Sequence, residues 1–314
     1  MTVAPIPTRG QAFLAGLRTG EVMVSDGATG TMLQRMGLEP GAAPEVWLFE
    51  RPDQIRALHR GYIEAGSNVI LTCSFGGTRY RLAGHGLADR VVEVNRRAAE
   101  LAREVAGDGA FVAGDMGPSG ELIAPLGKAT PADLTGAFAE QAAGLAEGGA
   151  DFLLIETMSD LAEAEAAIRG ARQTTDLPIV CTFSFDTRGR TMMGVRPEQA
   201  ARTIGPLVEG IGANCGRDPA EYEGIIRTMR QAHALDRPPI VWAKPNAGLP
   251  RLEGGKTVYD ATPEDMAATA LELRAAGAQV IGGCCGTTPQ HIAAMAVALK
   301  GGRGDPAPTS TEAK

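Results

Sequence analysis

Short apolar runs recur at intervals of roughly 25 to 45 residues, each too short for a helix and rich in residues that suit a buried strand. They are Val22–Ser25, Asn68–Cys73, Ala110–Gly114, Asp151–Ile155, Pro178–Phe183, Gly210–Asn214, Ile240–Ala243 and Ala278–Ile281. Between them lie segments with i, i+3, i+4 apolar spacing, which predicts helices. These are Gln54–Glu64 (through Ile55, Leu58 and Tyr62), Val91–Val105, Pro131–Glu147, Leu161–Arg172, Arg196–Val208, Asp218–Ala234 and Pro263–Ala275. Thr130–Pro131, Asp218–Pro219, Thr262–Pro263 and Thr288–Pro289 read as an N-cap followed by Pro at the first helical position. Ala65–Gly66, Gly148–Ala150 and Ala276–Ala278 read as helix C-caps feeding the next strand. Continuous apolar strands alternating with helices predict an α/β fold with a parallel sheet. Eight units are the number that closes as a single (β/α)8 TIM barrel, expected over residues 1–300. An open doubly wound sheet is the alternative, and it does not require eight units. Gly301–Lys314 has no periodicity and is expected to be a disordered tail.

Composition narrows the function. The 314 residues are 44% hydrophobic and 21% charged, which suits a soluble core. The net charge is −7 and there is no Lys/Arg run, which argues against binding nucleic acid or an anionic membrane. No apolar stretch approaches the ~20 residues of a membrane span. The first ten residues carry Pro5 and Pro7 and no apolar core, so no secretory signal is expected there and the expected location is the cytoplasm. Five cysteines, an odd number, then point to a reducing setting and to metal or catalysis rather than disulfides. Gly 41 and Pro 20 are a high share for a chain with no repeat, and predict many tight turns.

In such a barrel the chemistry gathers at the C-terminal ends of the strands. The residues expected there are Asp26 with Gly27–Thr31, Thr72–Phe75, Asp115 with Gly117–Gly120, Glu156–Thr157, Asn214–Cys215, Lys244–Asn246 and Gly282–Gly286. Cys215, Cys284 and Cys285 thus converge on one mouth from strands six and eight. Three thiolates with an open fourth position suit a catalytic zinc ion. Adjacent residues on a regular strand point to opposite faces, so Cys284 and Cys285 can share an ion only if the strand breaks. Gly282, Gly283 and Gly286 permit that turn. Buried packing or a vicinal disulfide is the alternative for this pair. A metal carrying three thiolates is a weak Lewis acid toward water but still deprotonates an incoming thiol. Asp26 and Glu156 suit capture of a substrate ammonium, with an N-cap or an ion pair as their alternatives. The backbone N–H groups of Gly27–Thr31 suit a carboxylate. Together these read as an amino-acid thiol. The Gly117–Gly120 loop reads as a turn. His59, His85, His233 and His291 read as structural or surface residues.

The residues reached this way resemble a known family. Asp-Gly-Ala-Thr-Gly-Thr-Met (26–32), Ala-Gly-Ser-Asn-Val-Ile (65–70), Gly-Pro-Ser-Gly-Glu (117–121), Leu-Ile-Glu-Thr (154–157), Gly-Ala-Asn-Cys-Gly (212–216), Lys-Pro-Asn-Ala-Gly-Leu-Pro (244–250) and Gly-Gly-Cys-Cys-Gly-Thr-Thr-Pro-Gln-His-Ile (282–292) are similar to the homocysteine S-methyltransferases. The likeness is strongest to the homocysteine-binding domain of cobalamin-dependent methionine synthase, and runs from about residue 20 to 300. It implies a zinc-bearing barrel with Cys215, Cys284 and Cys285 as ligands and the homocysteine thiolate completing the tetrahedron. By the same likeness Glu156 and Asp26 would hold the ammonium and Gly27, Ala28 and Thr29 the carboxylate, with Asn214 at the same site. The thiolate would then attack an activated methyl group to give methionine.

The donor is read from what the aromatic residues can build. A quaternary ammonium such as glycine betaine needs several ring faces. The chain has 8 Phe, 4 Tyr and 2 Trp, and Gly76 and Thr157 stand where the betaine-using relatives carry Tyr. Trp47, Phe49 and Trp242 are the remaining cage candidates, with Trp242 read as strand core. The expected donor is therefore methylcobalamin on a separate corrinoid protein. A betaine- or S-methylmethionine-dependent enzyme and a non-catalytic homocysteine-binding subunit are the alternatives.

Overall fold

In a computed structural model, residues 7–216, 221–232, 239–253 and 256–301 are described. Eight parallel strands form one sheet: β1 (Met23–Val24), β2 (Val69–Leu71), β3 (Phe111–Met116), β4 (Phe152–Met158), β5 (Ile179–Phe183), β6 (Gly210–Cys215), β7 (Ile240–Pro245) and, after an intervening hairpin of β8 (Arg251–Glu253) and β9 (Lys256–Val258), β10 (Val280–Ile281). The order β1-β10-β7-β6-β5-β4-β3-β2 leaves β1 and β2 at its ends, and the Ser25–Val69 bridge joins them. The expected (β/α)8 barrel is therefore what the chain builds.

The β1–β2 seam is short and relies on side chains. Val24 N–H donates to Asn68 Oδ1 (3.0 Å), and Leu71 N–H donates to Asp26 Oδ2 (2.7 Å). Residues that alternate along the strands fill the barrel interior: Met23, Val69, Leu71, Ala113, Phe152, Leu154, Val180, Trp242 and Val280. Their neighbours Val24, Ile70, Val112, Leu153, Ile155 and Val241 face the helical shell.

A helix the periodicity did not reveal, Arg9–Arg18, plugs the base with Phe13, Leu14 and Leu17. Phe13 stacks on Phe152 with ring centroids 4.2 Å apart, and Phe152 meets Trp242 edge-on at 5.9 Å. Three residues of Arg9–Arg18 carry the apolar signal, too few for a firm period. Its start is legible afterwards as the capping box of Thr8 with Gln11.

The expected caps hold at Thr130 and Thr262, each closing a capping box. At the last helix Thr288 pairs with His291 Nδ1 through both its N–H and its hydroxyl, and His291 Nε2 meets Ala261 O at 2.9 Å. His291 is structural, as expected. The expected helix Asp218–Ala234 is seen as Tyr222–Ala232. The Asp218–Pro219 cap, His233 and residues 302–314 lie outside the described residues. No described helix is long and apolar enough to cross a membrane.

Strands β3, β4 and β7 run further than the apolar patterns, to Met116, Met158 and Pro245. The apolar runs stop at Asp115, Glu156 and Lys244, but the strands do not. These polar residues sit on the barrel wall itself.

Candidate metal and substrate site

Two backbone devices aim the cysteines. Cys215 closes β6 in the left-handed region (φ 59°), followed by Gly216 (φ 77°). This ends the strand and turns the Cys215 sulfur toward the neighbouring loop. On the other side β10 stops at Ile281, and the glycines that follow allow close packing. A Cβ on Gly282 would lie 2.7 Å from the Asp26 carbonyl, and one on Gly286 would strike the Tyr259 ring at 2.3 Å. Cys284 N–H donates to Pro245 O (2.8 Å) and Cys285 N–H to Asn246 Oδ1 (3.0 Å). The strand breaks as the sequence required, and all three cysteines are free thiols. Their sulfurs lie within 4.8 Å of one another, with Cys215 Sγ and Cys285 Sγ 3.9 Å apart. Hydrogen bonds from Cys215 and Cys284 pull the Cys285 thiol down to about 3, whereas bonds to Cys284 and Cys285 push the Cys215 thiol up. Three soft donors on one open mouth fit a tetrahedral thiophilic metal. Cys181 is buried in the apolar core. Cys73 is buried too and lines the same cavity, but it is not one of the three sulfurs that converge.

A register shift in the β4–β5 ladder falls between Ile155 and Met158. Bulges of this kind re-aim side chains. Here the bulge contains Glu156 and Thr157, the latter with φ 63°, unusual for a β-branched residue. Asn214 on β6 holds it. Its Oδ1 accepts from Thr157 N–H (2.8 Å) and from the Thr182 hydroxyl (2.6 Å), and its Nδ2 donates to Thr157 Oγ1 (2.7 Å) and lies 3.9 Å from Cys284 Sγ. Asn214, expected at the substrate, therefore spends its amide on the protein and fixes the bulge. Glu156 is buried and its Oε2 has no partner. Burial pushes its carboxyl upward, with Lys244 opposing and Cys284 adding to the shift.

Asp26 differs from its expectation. It does not reach the cavity wall. Its Oδ1 meets Lys244 Nζ at 3.0 Å while its Oδ2 takes the Leu71 N–H, and both side chains of this ion pair are 3% exposed. Burial alone would discharge Lys244, but the charges of Asp26, Glu156 and Cys284 outweigh it and hold the ammonium up. The sequence reading gave Lys244 no role because its partner lies 218 residues away. Asn246 was likewise missed. Its amide donates to Gly216 O (2.7 Å) while its carbonyl takes Cys285 N–H, so one side chain ties both cysteine loops together. Asp115, also without an assigned role, is buried with Oδ1 unpartnered.

These groups border a cavity of about 310 Å³, lined by Gly27, Ala28, Thr29, Asp115, Glu156, Thr157, Lys244 and the three cysteines, among others. That is the size of a small-molecule site. Ala28 N–H is taken by Thr287 Oγ1 (3.0 Å), so Gly27 and Thr29 carry the backbone edge of the wall. Among the described lining residues Phe75 is the one aromatic. The three cage candidates lie elsewhere: Trp242 in the basal core, Trp47 in the shell under Arg51, and Phe49 under the Arg90 guanidinium at 4.4 Å. Glu45 occupies the space beside Gly76, accepting its N–H at 2.6 Å. The Gly117–Gly120 loop is a turn pinned by Ser119, whose N–H and hydroxyl both donate to Glu163. His59 is buried and His85 is exposed.

A parallel barrel with three convergent thiols and unpaired carboxyls around one small-molecule cavity defines a barrel whose mouth could hold a metal on thiolates. The sequence model of the homocysteine S-methyltransferase family matches residues 23–299, and the chain belongs to that family. It is 35% identical over 299 residues to methionine synthase of Mycobacterium tuberculosis, and equally to that of Mycobacterium leprae. Each alignment covers 88% of this chain and 24% of the relative, so the chain spans about a quarter of these proteins. The homocysteine methyltransferase MmuM from Escherichia coli, in its metallated form, superposes with a TM-score of 0.74 at 24% identity over 90% of this chain and 98% of that one. That likeness shows the fold.

Proposed function

We propose that the barrel is a zinc-dependent homocysteine S-methyltransferase that forms methionine. The observation that carries the reading is the gathering of Cys215, Cys284 and Cys285 sulfurs within 4.8 Å on the wall of a cavity that also presents an unpaired Glu156 oxygen. Zinc bound by these three sulfurs would keep the homocysteine sulfur deprotonated at neutral pH. The chain's own groups do the rest. Glu156 accepts from the substrate ammonium, and the Gly27 and Thr29 N–H groups face its carboxylate. Asn214 and Asn246 hold the bulge and the cysteine loops so that the cluster is set before substrate arrives. The deprotonated sulfur forms a bond to the methyl carbon as the methyl–donor bond breaks, its electron pair leaving with the donor.

The donor that fits best is a methyl group on a protein-borne corrinoid. The cavity has one ring, Phe75, where a quaternary ammonium needs several. Beyond the C-terminal ends of β3, β5 and β7 the chain carries exposed apolar side chains: Leu122 and Leu126, Met192, and Leu249 with Leu252 of β8. Apolar surface of this kind suits docking of a second protein face. Methionine formation is measured with zinc-loaded protein, homocysteine and equal methylcobalamin, S-methylmethionine or glycine betaine. Turnover with methylcobalamin and little with betaine is expected. Rapid turnover with betaine alone overturns the donor assignment, and binding without turnover of any donor overturns the catalytic one.

A further inference from the structure

Resting on the homocysteine reading, we propose that Asp115 is a substrate-specificity residue: with Glu156 it grips the ammonium of the bound amino acid, while Lys244 holds Asp26 out of that role. Charge accounting at the mouth leads there. Among the described residues lining the cavity, Asp115, Glu156 and Glu45 are acidic, and Lys244 is the one buried cation. Lys244 is spent on Asp26 at 3.0 Å. Asp26 is also saturated from the protein side, since Oδ1 additionally takes the Ser25 hydroxyl (3.3 Å) and Oδ2 takes the Leu71 N–H. Glu45 is engaged by Gly76 N–H.

That leaves Asp115 and Glu156. Each lines the cavity, each is more than nine-tenths buried, and each has a carboxyl oxygen with no partner, Asp115 Oδ1 and Glu156 Oε2. Buried polar groups are normally paired, and a charge left alone there is costly. Burial, then the neighbouring Glu156, holds the Asp115 carboxyl well above its ordinary range, although Lys244 opposes this. An alkylammonium has one positive charge and three N–H donors and no acceptor, which matches two neighbouring carboxyls on one cavity wall. The Asp115 backbone is fixed at both ends: its N–H donates to Thr72 Oγ1 (2.9 Å) and its carbonyl accepts from the Ser74 hydroxyl (2.7 Å). Asp26 then seals the β1–β2 seam, and Lys244 is the cation that neutralises it there.

The test separates the ammonium contact from every other effect by using two thiols: homocysteine and 4-mercaptobutyrate, which keeps thiol and carboxylate but lacks the amine. Calorimetry on zinc-loaded protein gives the affinity ratio of the two. Wild type should prefer homocysteine by about a hundredfold or more, the worth of two charge-assisted contacts. Asp115→Asn should cut that preference by about tenfold, the Glu156 contact remaining, and leave 4-mercaptobutyrate within about twofold of wild type. Asp115→Ser should do the same, and serves if the amide perturbs folding. Asp26→Asn should keep the preference while lowering the melting temperature. An unchanged preference in both Asp115 variants, or its loss in Asp26→Asn alone, overturns the assignment. If zinc-loaded wild type binds neither thiol, the homocysteine reading itself has failed, a result distinct from either of these.

Discussion

The two ends of the same eight strands solve opposite problems. At the base Phe13, Leu17, Phe152 and Trp242 fill the barrel with rings and methylenes, and the plug helix Arg9–Arg18 shuts it. At the mouth, two to four residues further along, the strands carry Asp115, Glu156, Lys244 and Cys215, and the interior opens into a cavity of about 310 Å³. The base is where apolar burial stabilises the closed barrel. The mouth spends part of that stability: a left-handed Cys215, a left-handed Thr157 and unpaired carboxyls are each unfavourable in isolation. They persist because Asn214, Asn246 and the Lys244–Asp26 pair hold them. Damage at the base should therefore lower stability without changing metal or ligand preference, and damage to the cavity-facing groups of the mouth should do the reverse.

The largest expected effect is on metal. Structural zinc sites bind with roughly 10–16 kcal/mol at neutral pH. Cys215→Ser, Cys284→Ser or Cys285→Ser should each cut zinc content, by elemental analysis, from about one per chain to a small fraction. Cys73→Ser and Cys181→Ser should leave the content alone, since neither sulfur belongs to the converging three. Next comes the base. Phe152→Ala removes a ring packed between Phe13 and Trp242 and should cost about 3–5 kcal/mol in denaturant unfolding. Its zinc stoichiometry should stay unchanged.

His59 offers a pH handle between the two regions. It is 1% exposed with neither ring nitrogen partnered, and burial lowers it from 6.5 to about 4, against the pull of Asp26. The unfolded chain therefore binds the proton first. The stability contributed by neutral His59 is full above pH ~6.5 and is lost as pH falls toward ~4, by up to about 3 kcal/mol. Unfolding curves across that window should show the loss, and His59→Leu should flatten it. A smaller effect is expected from Glu156→Gln, which should weaken homocysteine binding by about 1.5–3 kcal/mol in calorimetry and leave zinc in place.

Much of this was legible in the sequence because it is periodic or local. Eight apolar runs specify the barrel, and Gly-Gly-Cys-Cys-Gly announces a broken strand with two sulfurs. What was not legible depends on long-range closure. The Lys244–Asp26 pair exists only because β7 and β1 flank β10 in a closed ring, and nothing in either local segment signals it. Asp115 was expected at the mouth and lies there, but nothing local in the sequence shows that one of its carboxyl oxygens is left without a partner. Trp47 and Phe49 looked like cage members by residue type, but their rings are used in the shell. The β8–β9 hairpin escaped because its strands are three residues each and β8 is exposed throughout.

The central claim is that the mouth holds a metal on three cysteine sulfurs and leaves one place for the substrate's own sulfur. X-ray absorption at the zinc edge reads this directly. Zinc-loaded protein should show three sulfur neighbours and one lighter atom, and addition of homocysteine should raise the sulfur count to four at roughly 2.3 Å. A count that stays at three with homocysteine bound, or zinc without cysteine sulfur at all, would contradict the account.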